Sequence, residues 1–255
     1  MGILNLTPDS FSDGGRWKGP NAVKHALAML DEGADIIDIG GESTRPGAAQ
    51  VSADMEIARV MPVVAGLRSR TDAPISIDTM KPEVAQAAMI AGANIWNDVA
   101  GLTAPGALEK AAGMKAPVIL MHMQGDPRTM QAAPSYSDVV AEVIAYLKER
   151  VAAARKAGVE NIIVDPGIGF GKKLEHNLAL LAATDRIAEE VKAPVLVGAS
   201  RKSFIGKIDG SDASDRLGGS IAAALAAAQL GASFVRVHDV QETAQAIRVW
   251  RAMQG

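Results

Sequence analysis

The sequence predicts an α/β protein with one domain over residues 1–255, a single (β/α)8 TIM barrel, and three observations carry this prediction. Short apolar runs alternate with amphipathic helical stretches along the whole chain. Eight such runs can be counted, and eight β/α units in 255 residues match a closed barrel. The runs are continuously apolar, as in parallel strands covered on both faces. A doubly wound open sheet is the alternative, but its nucleotide-binding form needs GxGxxG after the first strand, where this chain reads "TPDSFSDGG".

The predicted strands follow one another in chain order at 2–6, 35–40, 74–79, 94–99, 117–122, 162–167, 194–200 and 234–239. Glycines just before a strand mark helix C-termini, and they are Gly33, Gly92, Gly158 and Gly231. Prolines occupy the first position of three strands, where a missing N–H group disrupts no ladder, and they are Pro74, Pro117 and Pro194. The longest helical stretch, 138–158, places Val140, Val143, Ile144, Leu147 and Val151 on one apolar stripe.

Composition narrows the class of function. The net charge is -3, so nothing indicates a partner among nucleic acids or anionic membranes. The chain has no cysteine, which excludes disulfides and thiolate chemistry and fits a cytoplasmic protein. Neither a signal peptide nor an apolar stretch long enough for a bilayer can be read in it. We expect a cytoplasmic protein that acts on small molecules.

Polar or ionisable residues close nearly every predicted strand. In chain order they are Asn5, Asp38, Asp78, Asn97, Asp98, His122, Asp165, Ser200, Arg201, Lys202, Arg236 and His238. The carboxyl ends of parallel barrel strands meet on one rim, and that rim carries the active site in such barrels. One such residue alone is usually structural. Their convergence on a single rim predicts a functional site.

The carboxylates of Asp78 and Asp165 have three possible roles. They could act as general acids or bases, bind a metal, or accept hydrogen bonds from a planar N–H edge of a ligand. Asn97 offers both a donor and an acceptor, which suits a heterocycle with mixed edges. Capping of the helix that follows each strand is the structural alternative for all three residues.

Arg236 and His238 lie two residues apart in the last strand, so their side chains share one face. Together with residues 43–45, "STR", they could form a phosphate cradle, although this stretch could also be an ordinary surface turn. The glycine-rich stretch at 167–173, "GIGFGKK", lacks the spacing of a P-loop. We expect its glycines to let Phe170 lie over the site.

Histidine and methionine give weaker signals. The four histidines lack the spacing of a zinc site, and we expect His25 and His176, which fall in helical stretches, to face solvent. Met121 and Met123 flank His122 and could either line the face of an aromatic ligand or fill space.

Eight stretches together resemble the dihydropteroate synthase family, the folate-pathway enzymes inhibited by sulfonamides. They are "GILNLTPDSFSDGG", "DIIDIGGESTRPGA", "ISIDT", "WNDVAG", "LMHMQGDP", "VDPGIGFGK", "LVGASRKSFIG" and "VRVHDV". The resemblance covers essentially the whole chain in the right order. It implies that 6-hydroxymethyl-7,8-dihydropterin pyrophosphate and p-aminobenzoate condense to 7,8-dihydropteroate and pyrophosphate, by an SN1-like path through a pterin cation.

The resemblance also implies roles for individual residues. The pterin-binding positions match Asp78, Asn97, Met121, Asp165, Gly198 and Lys202. The positions of the pyrophosphate and Mg²⁺ region match Asn5, Thr44, Arg45, Arg236 and His238, with Asn5 as the metal ligand. The p-aminobenzoate positions match Pro46, Phe170, Ser200 and Lys202, beneath two closing loops at 7–15 and 42–48. Of these residues, Asp78, Asp165, Lys202, Arg236 and His238 are expected to be catalytic.

Some expectations depart from the family pattern or leave alternatives. The family usually has residues before the first barrel strand, often a small hairpin, which here is missing or trimmed. A homodimer is common in the family, and the last two helices are the candidate surface. Two other functions remain: a barrel that transfers methyl groups from methyltetrahydrofolate, and a non-catalytic pterin-binding protein. The first would not explain "SRKSF" or the Arg236–His238 pair.

Overall fold

A computed structural model describes residues 1–7, 19–44 and 49–255. These residues contain eight strands: β1 Gly2–Asn5, β2 Ile37–Gly40, β3 Ile75–Asp78, β4 Ile95–Asp98, β5 Val118–Met121, β6 Ile162–Asp165, β7 Leu196–Val197 and β8 Phe234–Val235. All eight predicted strands are therefore present. Each is shorter than the predicted run: β2 lacks residues at its start, β1, β6 and β8 lack them at their ends, and the other four lack them at both ends.

The helices are α1 Pro20–Asp31, α2 Ala53–Arg68, α3 Pro82–Ala91, α4 Ala107–Met114, α5 Val139–Ala157, α6 Leu174–Ala182, α7 Thr184–Val191, α8 Ser203–Asp209, α9 Leu217–Gln229 and α10 Val240–Gln254. The apolar stripe predicted for α5 is buried along its length. Gly92 and Gly158 end α3 and α5 in the left-handed conformation, with φ of 115° and 102°, which glycine adopts without steric cost. No helix in the described ranges is long and apolar enough to cross a membrane.

The strands form a closed ring. β1 to β6 pair in chain order, all parallel, and β7 pairs with β8. Two bridges join these sheets, Val164 with Val195 and Gly2 with Val237. The result is the (β/α)8 barrel that the sequence predicts.

Prolines precede the strands instead of opening them, a small correction to the prediction. Pro74, Pro117 and Pro194 lie one or two residues before β3, β5 and β7. Their carbonyl groups accept hydrogen bonds from Ile37, Trp96 and Val164 of the neighbouring strands. Each proline therefore extends the ladder as an acceptor although it cannot donate to it.

The side-chain period of a strand explains how one barrel carries both a core and a site. The lower interior is filled by an apolar cluster of Met1, Ile36, Ile95, Ile119, Ile163 and Leu196. Residues two positions further along a strand point to the same side. The side chains above this cluster are accordingly Ile3, Asp38, Asn97, Met121, Asp165 and Gly198. Most of the polar side chains at the carboxyl ends of the strands therefore lie directly above this apolar cluster.

Candidate active site

A cavity of about 560 Å³ opens at the carboxyl ends of the strands. It is lined by every described residue predicted for the site: Asn5, Thr44, Asp78, Asn97, Met121, Asp165, Phe170, Gly198, Ser200, Lys202, Arg236 and His238. The other two predicted residues, Arg45 and Pro46, lie outside the described residues, as does most of the first predicted loop.

Arg236 bridges two carboxylates inside this cavity. Its Nε atom donates to Oδ2 of Asp38 at 2.6 Å, and its Nη2 atom donates to Oδ2 of Asp78 at 2.8 Å. Asp38 is fully buried as the second residue of β2, and Asn97 donates a further hydrogen bond of 3.2 Å to the same oxygen. The three strands β2, β3 and β4 and the segment after β8 are therefore tied together by one polar network.

Burial and opposite charges act against each other on this network. Burial raises the pKa of Asp78 to about 7, although the adjacent Arg236 guanidinium favours its ionised form. For Arg236 burial acts to lower the pKa, but Asp38 and Asp78 raise it above its ordinary value. The remaining oxygens, Oδ1 of Asp38 and of Asp78, are buried without a hydrogen-bond partner among the described residues. Buried acceptors of this kind are costly unless a ligand donates to them.

Asp165 closes β6 on the opposite side of the cavity. Its Oδ1 atom accepts a 2.7 Å hydrogen bond from the main-chain N–H group of Gly167, which fixes the carboxylate plane. Burial raises the pKa of Asp165, while Gly167, Lys202, Arg236 and Lys172 act to lower it. One oxygen of Asp165 is thus held by the main chain, and nearby cations favour its ionised form, so Asp165 is suited to accept a hydrogen bond from a ligand.

Phe170 and Lys202 form the outer wall. The Nζ atom of Lys202 lies 4.0 Å from the centroid of the Phe170 ring, within the range of a cation–π contact. Nearby, the Ser200 hydroxyl accepts a hydrogen bond from the main-chain N–H group of His238 and lies 3.1 Å from Nδ1 of its ring. A flat ring and a cation at one mouth of the cavity suit an aromatic ligand with a negative group.

Two residues at the strand ends have structural roles instead of reaching the cavity. His122 packs at 4.9 Å against the ring of Tyr146 and contacts Lys172, and it is absent from the described lining. Asp98 is buried and accepts hydrogen bonds from the N–H groups of Ala100 and Leu102, so it caps the turn after β4.

Met121 and Met123 separate. Met121 lines the main cavity, whereas Met123 lines a different cavity of about 400 Å³.

The expectation that His25 and His176 face solvent is wrong, since both are half-buried. His176 accepts a hydrogen bond from the N–H group of Lys173 at the start of α6 and packs against Tyr136.

Three residues used by the site have no role that can be read from the sequence pattern: Asp38, Glu42 and Lys172. Asp38 was visible at a strand end, but its pairing with Arg236 is not readable from spacing. Glu42 lines the cavity and is held by Lys81 at 2.6 Å, which also binds the buried Glu56 at 2.7 Å. Lys172 is almost fully buried behind Phe170, where the sequence shows only the second-last residue of a glycine-rich stretch.

The donor set at the end of β1 fits a Mg²⁺ ion that a substrate brings with it. The described residues contain no group of three or more His, Cys, Asp or Glu side chains that could hold a metal. Asn5 lines the cavity and offers one amide oxygen. Mg²⁺ bound to a substrate phosphate typically takes only one or two protein oxygens and keeps several waters. The residues present therefore fit an ion shared with a diphosphate, and they do not form a cage that would hold it alone.

Comparisons with known proteins agree with this geometry. The family model described as "pterin binding enzyme" matches residues 1–238. Dihydropteroate synthase of Escherichia coli K12 is 54% identical over 257 residues, which cover 99% of this chain and 90% of that protein. The Yersinia pestis dihydropteroate synthase, solved with a sulfonamide drug, superposes with a TM-score of 0.97 at 46% identity, covering 100% of this chain and 93% of that one.

A further structure carries the reaction product. Dihydropteroate synthase of Xanthomonas albilineans in complex with 7,8-dihydropteroate superposes with a TM-score of 0.89 at 47% identity, again covering 100% of this chain and 93% of the other. The similarity spans the barrel from its first strand to its last helix. The chain therefore belongs to the dihydropteroate synthase family of pterin-binding enzymes.

Proposed function

We propose that this enzyme condenses 6-hydroxymethyl-7,8-dihydropterin pyrophosphate with p-aminobenzoate to form 7,8-dihydropteroate and pyrophosphate. One observation carries the proposal: a single cavity combines buried acceptors for a heterocycle, cations for an anion, and an aromatic wall. The relatives support it, since one is solved with the product and another with a sulfonamide drug.

Asp78, Asn97 and Asp165 are the proposed pterin-binding residues. The amino-pyrimidine edge of a pterin offers parallel N–H donors, and carboxylates bind such an edge much as they bind a guanidinium fork. Oδ1 of Asp78 lacks a partner among the described residues, and one oxygen of Asp165 is already held by Gly167. Asn97 uses its amino group on Asp38, which leaves its oxygen for a ring N–H. Met121 and Gly198 provide the flat, uncharged part of the pocket.

We propose a dissociative path, in which the bond between the pterin methylene carbon and the leaving oxygen breaks before the amine of p-aminobenzoate attacks. The carboxylates of Asp78 and Asp165 line the cavity and, with the buried Asp38 carboxylate bound to Arg236, stabilise positive charge on the pterin. Arg236 and His238, with Thr44 and Arg45 by family resemblance, hold the departing diphosphate. Nε and Nη2 of Arg236 are used by carboxylates, and Nη1 remains as the donor proposed for the anion.

The aromatic substrate is proposed to bind between Phe170 and the Ser200–Lys202 turn, with Pro46 completing the pocket. The Lys202 ammonium lies at the face of the Phe170 ring and attracts the carboxylate of p-aminobenzoate. The amine of that substrate then points into the cavity toward the pterin. Its proton is released on C–N bond formation, and Asp165, which lines the cavity and whose pKa is raised by burial, is the proposed acceptor.

Mg²⁺ is the proposed cofactor, and Asn5 is its proposed protein ligand. When bound, the ion supplies positive charge at the diphosphate. Binding can be measured apart from turnover by calorimetric titration of Mg²⁺ into protein with inorganic pyrophosphate. We expect Asn5→Ala to weaken this titration, and exposed Asn21→Ala to leave it unchanged. Equal Mg²⁺ affinity in the wild type and Asn5→Ala would exclude Asn5 as a ligand.

The decisive test of the reaction is pyrophosphate release. Purified protein with the pterin pyrophosphate, p-aminobenzoate and Mg²⁺ should release pyrophosphate in equal amount to dihydropteroate. A methyl-transferring barrel would release none and would consume methyltetrahydrofolate. A pterin-binding protein without catalysis would bind the pterin and release nothing, so the three functions give different results.

We propose a cytoplasmic homodimer that pairs through the last two helices. Large apolar side chains are exposed there, with Leu217 on α9 and Val249 and Met253 on α10. The test is the mass in solution by light scattering. Val249→Asp should shift the mass from two chains to one, whereas Ile90→Asp, at an even more exposed apolar position on α3, should not.

A further inference from the structure

Lys172 is a lysine inside the protein, with 1% of its surface exposed. It follows the loop that carries Phe170, and its Nζ atom has three acceptors around it. These are the main-chain oxygens of Phe170 at 2.9 Å and His122 at 3.3 Å, and the Nδ1 atom of His122 at 3.0 Å. An ammonium group has three N–H donors, so its hydrogen-bonding capacity matches this environment.

The electrostatic surroundings of Lys172 come from three elements. Burial lowers its pKa to about 7, with Lys202 acting in the same direction and Asp165 in the opposite one. His122, at the end of β5, has its pKa lowered to about 3 by burial and by Lys172, so its ring is neutral and Nδ1 can accept. Tyr146 and Tyr136 flank that ring on its other sides. When protonated, Lys172 places a positive charge between the rings behind the site and the Asp165 carboxylate inside it.

The loop between Asp165 and Lys172 is held against the segment after β5. Gly167 has a φ of 71°, and a Cβ atom at that position would collide with the main-chain oxygen of His122. Tyr136 donates to the main-chain oxygen of Gly171 at 2.8 Å. The Phe170 carbonyl therefore has a defined position, and Lys172 is the group that bonds both sides of this contact.

We propose that Lys172 is a positioning residue of this site: its buried ammonium group fixes the main chain of Phe170 against the end of β5 and places positive charge behind Asp165. The inference rests on the proposed function and adds a residue to it that touches neither substrate. Two consequences follow. Loss of Lys172 displaces the aromatic wall for p-aminobenzoate, and it removes a cation that favours ionised Asp165.

The first readout separates the two substrates. Lys172→Met should raise the KM for p-aminobenzoate about tenfold, the effect of one charge-assisted hydrogen bond. In the double variant with Phe170→Ala, Lys172→Met should raise the KM for p-aminobenzoate no further than Phe170→Ala alone, because both substitutions act through the Phe170 ring. Lys156→Met, at an exposed position on α5, is the matched control. Full additivity in the double variant would overturn the contact with Phe170 as the cause.

The second readout is the pH dependence of pterin affinity. Lys172, Lys202, Arg236 and the Gly167 N–H group all act to lower the pKa of Asp165. Without Lys172 this pKa rises, so the pH below which pterin affinity falls should move upward in Lys172→Met. Lys172→Arg keeps the charge and should restore the wild-type midpoint. An unchanged midpoint in the Met variant, or one displaced equally in the Arg variant, would overturn the electrostatic role.

The outcomes distinguish this inference from the function itself. A wild type that releases no pyrophosphate contradicts the proposed function. An active wild type whose Lys172→Met variant keeps the same KM and midpoint contradicts the role of Lys172 alone. If thermal unfolding shows that Lys172→Met does not fold, Lys172→Gln, which keeps a hydrogen-bond donor but carries no charge, replaces it in the pH measurement, and an unchanged midpoint in that variant would overturn the electrostatic role.

Discussion

Asp78 and Arg236 stand 158 residues apart in the chain, and their side chains meet at 2.8 Å in the cavity. Asp38 binds the same guanidinium, so two carboxylates share one cation. These two carboxylates outnumber the one guanidinium in this network. This arrangement favours a ligand or intermediate that brings its own positive charge.

Replacing Asp78 should reveal the cost of its buried charge. Its pKa of about 7 in the folded protein lies above the ordinary value of 3.8, so its contribution to stability is fully present below about pH 4 and is lost as the pH rises through about 7. Asp78→Asn cannot ionise and lacks this loss. Between about pH 4 and about pH 7 we therefore expect the free energy of unfolding of the wild type to fall relative to that of Asp78→Asn, as measured by urea denaturation at each pH. A constant difference across this range would contradict a raised pKa.

Replacing Asp165 should weaken pterin binding. An amide offers one acceptor where the carboxylate offers two, and a charge-assisted hydrogen bond contributes roughly 1.5–3 kcal/mol. Asp165→Asn should therefore bind the pterin about tenfold to about a hundredfold more weakly in a calorimetric titration. Exposed Asp72→Asn should bind as the wild type does. Equal affinities for Asp165→Asn and the wild type would remove Asp165 from the pterin pocket.

His238 and Arg236 should act on the leaving group. His238→Ala is expected to lower turnover more than it weakens binding of a pterin without the diphosphate. Arg236→Ala should do the same and also destabilise the fold by about 3–5 kcal/mol, because two buried carboxylates lose their cation. Arg251→Ala, at an exposed position, is the control for loss of an arginine. Equal losses of turnover and of affinity for the bare pterin would argue against leaving-group roles.

Sulfonamides should compete with p-aminobenzoate. Both carry an aniline ring, and the sulfonyl group would take the place of the carboxylate near Lys202. We expect steady-state inhibition that raises the KM for p-aminobenzoate and leaves kcat unchanged. Inhibition that lowers kcat at saturating p-aminobenzoate would place the drug elsewhere.

The sequence predicts the barrel well because the residues that mark the start and end of each strand are local signals. Glycine or proline before a strand and a polar residue near its end are each readable within a few residues, and all eight strands lie within the predicted apolar runs. Strand ends are less readable, as β8 shows: Arg236 and His238 follow the strand and do not belong to it.

Contacts between residues far apart in the chain cannot be predicted from the sequence pattern. Arg236 was expected to face an anionic ligand together with His238, yet its side chain binds Asp38 and Asp78 from β2 and β3. The burial of Lys172 cannot be predicted either, because the adjacent residue, Lys173, is also a lysine and is exposed. Local pattern cannot distinguish two adjacent lysines whose surroundings are set by a loop packed against another strand.

The closure of the ring has a consequence for synthesis on the ribosome. Chains grow from the N-terminus, so the carboxylates of Asp38 and Asp78 leave the exit tunnel long before the guanidinium of Arg236 exists. Until then, an early collapsed barrel would enclose two like charges with no counter-charge, an arrangement that burial penalises strongly. Completion of the last strand supplies that cation and the bridge from Val237 to Gly2 together. The nascent chain therefore has an electrostatic reason to stay open until its last strand arrives.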